Sequence, residues 1–149
     1  MGPTVSRATK LGNVFASKVP FDQLNIIQYN KSTKQNQAYQ WLLDDPKFWS
    51  YDDRKLMQRW VMKVLSLEWT AIGGSHIRPD QLPLDSWGEY TDECGWFMSY
   101  YDNKPPCSET GALKRLVLTN VGLQGTIPSE LRYLDRLSKL AFTYNPRMF

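Results

Sequence analysis

The chain of 149 residues is poor in the residues on which most protein chemistry depends: it has two cysteines and a single histidine, His76. This set is too small for the four ligands of an ordinary structural zinc site. The sequence also lacks a Gly-rich phosphate loop, an H-E-x-x-H pair and a calcium loop. No run of 18 apolar residues occurs, so the sequence predicts no transmembrane segment. We therefore expect a protein that is not an enzyme and that binds no metal or cofactor.

Adjacent carboxylates are the remaining candidates for acid–base chemistry. Each pair lies at the end of a predicted helix or just before a cysteine, where helix capping and solvation account for acidic residues. We therefore expect exposed, structural roles for all three pairs, Asp44 with Asp45, Asp52 with Asp53, and Asp92 with Glu93.

The net charge of +3 is unevenly distributed along the chain. Residues 1–37 carry five basic side chains and one acidic side chain, and the rest is close to neutral. Nucleic-acid-binding domains carry a basic stripe on a folded face, and none is seen here, so no nucleic-acid partner is expected. We interpret residues 1–32 as an extended basic arm with an apolar anchor at 19–27. Asn30 begins a formal glycosylation triplet, of a kind that also arises by chance.

Two helices are predicted after the arm. Ser32 or Thr33 is placed to cap a helix at about 34–45, which Pro46 ends. A second helix, at about 52–69, follows Ser50 and Asp53 in capping-box spacing. Its apolar residues recur at helical intervals and predict a broad buried stripe: Leu56, Met57, Trp60, Val61, Val64, Leu65 and Leu67.

Residues 113–145 contain a repeated pattern. Leu137 and Leu140 follow Leu113 and Leu116 by 24 positions. Leucines at a fixed period of about 20–29 residues are typical of leucine-rich repeats, in which each repeat is one coil of a solenoid.

Apolar residues alternate within each copy of this pattern, which predicts strands near 114–119 and 138–143. Gly125 and Pro128 then turn the chain, and a short helical turn returns it to the next strand. We expect the two strands to lie parallel, one coil apart.

The sequence LQGTIPSELRYLDRLSKL, at 123–140, resembles the plant-type leucine-rich repeat, L-x-x-L-x-L-x-x-N-x-L-x-G-x-I-P. In the first unit Val121 stands where that family has an asparagine, whereas the second unit has Asn145 at the equivalent position. The asparagine of the family hydrogen-bonds to the stacked turns. The absence of this asparagine from the first coil is consistent with a position at the end of an array.

The resemblance extends over residues 38–145. The motifs W-L-L-x-D-P, Q-R and D-E-C-x-W are similar to the N-terminal caps of the leucine-rich repeat proteins of diatoms, many of them receptor-like. The resemblance implies an α+β protein in three parts: the basic arm (1–32), a helical cap containing Trp and Cys (33–110), and one repeat with the start of a second (111–149).

The same resemblance implies a disulfide between Cys94 and Cys107. The family closes its cap cysteines over the shorter C-x-W-x-G-V-x-C, whereas twelve residues separate them here. Such a bond stabilises a fold by about 2–3 kcal/mol and is typical of an oxidising compartment. We therefore expect an extracytoplasmic or organellar-lumenal location, with membrane association left open. A zinc site is the alternative, although too few ligands are present.

The function implied is recognition of a protein or polysaccharide by the concave face of the solenoid. Residues flanking the strand leucines point out of that face. The basic residues among them suit an acidic partner. They are Lys114, Arg115, Val117 and Thr119 in the first unit, and Ser138, Lys139, Ala141 and Thr143 in the second.

An accessory structural role in a larger assembly is the alternative, with the chain held by its arm and its C-terminal strand edge. About three repeats are usually needed for a stable solenoid, and one full unit is present here. We therefore expect an unpaired edge at the last strand. It also follows from this pattern that residues 1–149 are part of a longer protein or are covered by a partner at that end.

Overall fold

The computed structural model describes residues 5–73, 88–96, 105–117, 124–125, 127–141 and 147–148. In this part of the chain, four helices precede four short strands. The helices are α1 (Arg7–Ala16), α2 (Phe21–Tyr29), α3 (Lys34–Leu43) and α4 (Asp53–Gly73). The strands are β1 (Arg115–Val117), β2 (Gln124–Gly125), β3 (Lys139–Ala141) and β4 (Arg147–Met148). The predicted α+β class is confirmed.

The expectation of an extended arm is wrong for most of residues 1–32, because α1 and α2 occupy this segment. The Ser6 hydroxyl caps α1 by accepting a hydrogen bond from the Thr9 backbone N–H. Leu11, Val14 and Phe15 then form a buried face. A ten-residue helix is marginal alone, so packing on the rest of the protein stabilises it. The Phe15 ring lies 4.9 Å from Trp60 of α4, edge to face.

Helices α3 and α4 agree with the sequence prediction to within a few residues at each end. The Thr33 side chain caps α3 by accepting from the Asn36 N–H. The cap of α4 differs from the expected capping box. Asp52 accepts a hydrogen bond from the Lys55 N–H at 2.8 Å, while the Ser50 hydroxyl bonds to the Lys47 carbonyl. Asp52 rather than Ser50 therefore caps this helix.

The core forms where α4 crosses the other helices. All the predicted stripe residues of α4 are buried except Leu67, which is partly buried. Trp60 is fully buried and donates its indole N–H to the Gln35 carbonyl at 3.0 Å. The Asn36 side chain donates to the Ile27 carbonyl at 2.9 Å, a buried bond that joins α3 to α2. None of the described helices has both the length and the apolar character needed to cross a membrane.

The strands form two parallel pairs, β1 with β3 and β2 with β4. In the first pair Arg115 lies beside Lys139 and Leu116 beside Leu140. The parallel arrangement and the 24-residue offset predicted from the leucines are therefore confirmed. Along the chain between β2 and β3, a 3₁₀ turn at Ser129–Tyr133 leads back to β3.

Leu116 and Leu140 occupy equivalent positions but have different surroundings. Leu116 is 0% exposed, because it lies in the core that α4 and the N-terminal helices form. Leu140 is 45% exposed. One side of the β1–β3 pair is therefore covered by the protein, and the apolar residue on the outer strand remains open to solvent.

This asymmetry predicts unequal effects of the same truncation at the two sites. Leu116→Ala should lower the free energy of unfolding by about 2–5 kcal/mol, because it leaves a cavity in a packed core. Leu140→Ala should cost about 1 kcal/mol or less, since much of the side chain is already hydrated. Urea unfolding of the two variants measures the difference. Equal, large losses would show that Leu140 is covered in solution.

Candidate functional site

A fully buried arginine lies in the described part of the chain before β1, which we call the cap for its position alone. Arg59 of α4 is 0% exposed, as are its two acidic partners, Asp45 and Glu93. Its Nε atom donates to Asp45 Oδ2 at 2.9 Å, and its Nη2 atom lies 2.7 Å from the same oxygen. Its Nη1 atom donates to Glu93 Oε1 at 3.1 Å and to the Thr91 carbonyl at 2.9 Å. We call Asp45, Arg59 and Glu93 the buried ion triad.

The two carboxylates are directed inward by the local chain. Helix α3 ends at Leu43, and the turn after it carries Asp45 into the core. There Asp45 also accepts the Lys47 backbone N–H at 2.9 Å and the Tyr51 hydroxyl at 3.2 Å. Glu93 begins a 3₁₀ turn at Glu93–Gly95, just before the first cysteine. The ion triad therefore joins three separate segments.

Gln58 and Lys55 connect the ion triad to the segment that leads into β1. The Gln58 amide donates to Glu93 Oε2 at 3.0 Å and to the Gly111 carbonyl at 2.8 Å. Its oxygen accepts the Leu113 backbone N–H at 2.6 Å. The Lys55 ammonium lies 3.0 Å from both Glu93 and Asp92. One turn of α4 thus fixes the position of the chain before the first strand.

Two aromatic rings lie against the arginine. The guanidinium carbon lies 5.0 Å from the centre of the Trp41 ring and 4.8 Å from that of Tyr51. The Trp41 ring also stacks on Tyr90, with ring centres 4.9 Å apart. A guanidinium is attracted to the faces of such rings, and it presents several donors in one plane. Arginine therefore satisfies the ring contacts and both carboxylates together.

The expectation that all the adjacent carboxylates are exposed is wrong for Asp45 and Glu93. It holds for Asp52, which caps α4, and for Asp92, which accepts the Cys94 N–H at 3.0 Å. In each of these two pairs the first carboxylate, Asp44 or Asp92, is exposed, and the second, Asp45 or Glu93, is buried. Asp45, Arg59 and Glu93 lie in the motifs W-L-L-x-D-P, Q-R and D-E-C-x-W. The sequence analysis therefore singled out the right segments, but the spacing of the motifs did not show that these three side chains meet.

Burial shifts the pKa values of the groups around the triad. Burial raises the pKa of Glu93, although Lys55, Gln58 and Arg59 act in the opposite direction. Burial also raises the pKa of Tyr51, to about 12, against the effect of Arg59. For Asp92, burial would raise the pKa, but the Cys94 N–H and Lys55 outweigh it, and the pKa is lowered.

The contacts of these groups within the protein give them structural roles. Within the described residues, Asp92, Glu93 and Cys94 are close enough to share an ion, but Cys94 is in a disulfide. The Lys55 ammonium already contacts both carboxylates and supplies the positive charge. Each member of the triad has its partners within the protein. A structural role accounts for the arrangement: the triad holds the cap together.

The disulfide predicted between Cys94 and Cys107 is present, with Cα atoms 5.7 Å apart. It joins the turn that carries Glu93 to the segment before β1, where Cys107 forms an antiparallel bridge with Leu113. Lys55 approaches the Cys94 sulfur at 3.6 Å. The covalent bond and the ion triad therefore restrain the same junction between the cap and the first strand.

The β1–β3 pair brings the predicted binding residues together where they are described. Arg115 lies beside Lys139 and Val117 beside Ala141 in the register. The Lys114 carbonyl accepts both the Ser138 N–H, at 2.8 Å, and the Ser138 hydroxyl, at 3.0 Å. Lys114, Ser138 and Lys139 are exposed, and the other three are partly buried. The structure does not describe Thr119, Thr143 or His76.

Comparisons of the chain with protein-family models, with curated proteins and with solved structures find no match. The resemblance to leucine-rich repeat proteins therefore depends on the motifs themselves.

The buried ion triad predicts a large difference between two arginines of the same helix. Arg59→Met should destabilise the protein by about 3–5 kcal/mol, because it leaves Asp45 and Glu93 buried without their partner. Arg54→Met is the control. Arg54 is only partly buried and its Nε atom lies 3.8 Å from the exposed Asp135, so its loss should cost less than about 1 kcal/mol. Urea unfolding followed by tryptophan fluorescence measures both, and equal losses would contradict the structural role.

The disulfide predicts that the native protein has no reactive thiol. Replacing Cys94 and Cys107 together by Ser should lower the free energy of unfolding by about 2–3 kcal/mol, since a short loop is no longer closed in the unfolded chain. Thiol labelling with and without reduction, combined with urea unfolding, tests both statements. Two thiols that react before reduction would refute the pairing.

Proposed function

We propose that this chain is a non-catalytic recognition module of the leucine-rich repeat type, in which a helical cap precedes the first coils of a solenoid. The observation that carries the proposal is the parallel β1–β3 pair with its 24-residue register. Parallel strands one repeat apart are what stacked coils require. The 3₁₀ turn at Ser129–Tyr133, on the return path between these strands, agrees with such a coil.

The construction of the cap supports this proposal. A solenoid exposes its core at each end unless a capping unit covers it. Leu113 and Leu116, at the start of the sheet, are fully buried in the core that the helices form, and Gln58 of α4 bonds to the Leu113 N–H. The residues that carry the resemblance to diatom caps, among them Asp45, Arg59 and Glu93, are the ones that meet in this network.

The proposed ligand is a protein with an acidic surface or an anionic polysaccharide. Arg115 and Lys139 lie side by side in the β1–β3 register, and the exposed Lys114 directly precedes β1, so three positive charges occur within a small area. Basic groups on such a face attract acidic partners over a distance and set the specificity of the contact. The disulfide supports an extracytoplasmic or lumenal location for this encounter.

An accessory structural subunit is the second candidate, and one observation favours it. In the described part of the chain β3 pairs with β1 alone, and Leu140 and Ile127 are each 45% exposed. An open strand edge beside apolar side chains readily accepts another chain or another coil. Residues 7–29 do not form an extended tether in this role, because α1 and α2 pack against their own protein.

Charge reversal on the sheet face tests the recognition function. The triple variant Lys114→Glu, Arg115→Glu and Lys139→Glu should weaken binding to an immobilised sulfated polysaccharide or to polyglutamate by about tenfold or more. The control changes three exposed lysines elsewhere, Lys18, Lys31 and Lys47, to Glu, which alters the net charge equally. Equal losses in both variants, or no loss in the first, would remove this face from consideration.

The structural alternative has its own measurement. If the open edge joins a partner or a second copy, the size of the isolated chain should rise with concentration, and hydrogen exchange should be fast in the monomer at the β3 amides directed away from β1. A monomer at high concentration with slow exchange at these amides would show that the edge is protected within the chain, which would contradict the accessory role.

A further inference from the structure

The link between α2 and α3 contains the single N-x-S/T triplet of the sequence, Asn30-Lys31-Ser32. All three residues are exposed. Acceptor triplets for N-linked glycans function at the surface of exported proteins, where the attached sugar projects into solvent. The exposure of the whole link meets the first requirement of a modification site.

The local hydrogen bonds prepare the Asn30 side chain for reaction. Its carbonyl oxygen accepts the Ser32 hydroxyl at 2.7 Å and the Ser32 backbone N–H at 3.3 Å. Its Nδ2 atom has no partner among the described residues. Asn36, six residues on, differs in both respects, because it is buried and its amide donates to the Ile27 carbonyl. The Asn30 amide thus presents its nitrogen to solvent while the Ser32 hydroxyl polarises its carbonyl.

Two apolar side chains are exposed beside Asn30, in the last turn of α2. Tyr29 is 73% exposed, and Ile26 is also exposed. An open groove of about 620 Å³ is lined by Ile26, Tyr29, Asn30 and their neighbours. The apolar faces of the first sugars of a glycan on Asn30 would pack against this groove.

We propose that Asn30 carries an N-linked glycan. In the transfer step the Nδ2 atom of Asn30 bonds to the anomeric carbon of the first sugar of a lipid-linked pyrophosphate oligosaccharide. The bond from that carbon to the pyrophosphate oxygen breaks, and the pyrophosphate leaves with the electron pair. The amide loses one proton to a carboxylate of the transferase. The inference rests on the lumenal location in the proposed function, which the disulfide between Cys94 and Cys107 supports.

The test is mass analysis of the protein isolated from its own cells, before and after treatment with a peptide N-glycosidase in heavy-oxygen water. The expected result is a loss of glycan mass and conversion of Asn30 to an aspartate that carries one heavy oxygen. A peptide containing unmodified Asn30 as the main species would overturn the proposal.

Matched variants of the full chain, expressed through a eukaryotic secretory pathway, test the role of the triplet. Ser32→Ala should abolish the modification and Ser32→Thr should retain it, although neither changes Asn30. Lys31→Ala is the control for the substitution of an exposed link residue and should remain modified. Modification of Ser32→Ala, or its absence in the unaltered chain, contradicts the proposal. Thermal unfolding of each variant shows whether the fold is intact.

Separate measurements test the glycan proposal and the recognition proposal. Tyr29→Ser should leave Asn30 modified, but it should remove most of any increase in thermal stability that the glycan gives the unaltered chain, because the sugar loses the ring it packs on. Binding through the β1–β3 face should be the same with and without the glycan. If Asn30 is unmodified while that binding persists, only the glycan proposal is wrong.

Discussion

The charge of Arg59 is the constraint on which the arrangement of the cap depends. A guanidinium removed from water needs an acidic partner for its charge and acceptors for its donors, or the fold is strongly destabilised. Asp45 after α3 and Glu93 before the first cysteine supply them. These carboxylates come from segments far apart in sequence. The helices, the loop and the disulfide can therefore assemble in few ways other than the one observed.

Apolar packing around this centre supplies stability, while the polar contacts fix the geometry. Trp41 and Tyr51 enclose the guanidinium, and Trp60 lies next to Phe15 in the adjacent core. Aromatic side chains bury large areas and can pack in several arrangements. Directional bonds select one of them. Gln58 extends the same control to the chain entering β1, so the position of the sheet is set from α4.

The two strands of the β1–β3 pair differ in burial, because the rest of the protein covers β1 more than β3. The cap covers the inner strand, and β3 has no comparable cover in the described part of the chain. The basic residues and the open edge lie on the same strands, so the two proposed functions, recognition and assembly, would both use this element.

The sequence by itself determined α3, α4, the parallel strands and their offset, because each depends on a periodic pattern or a local cap. It also indicated the disulfide. Only the tertiary structure decided that residues 7–29 are helical, since α1 is too short to be stable without Phe15 against Trp60. It likewise decided that Asp45 and Glu93 turn inward while Asp52 and Asp92 face solvent. Adjacent carboxylates look alike in sequence, and the choice between them depends on where Arg59 lies in space.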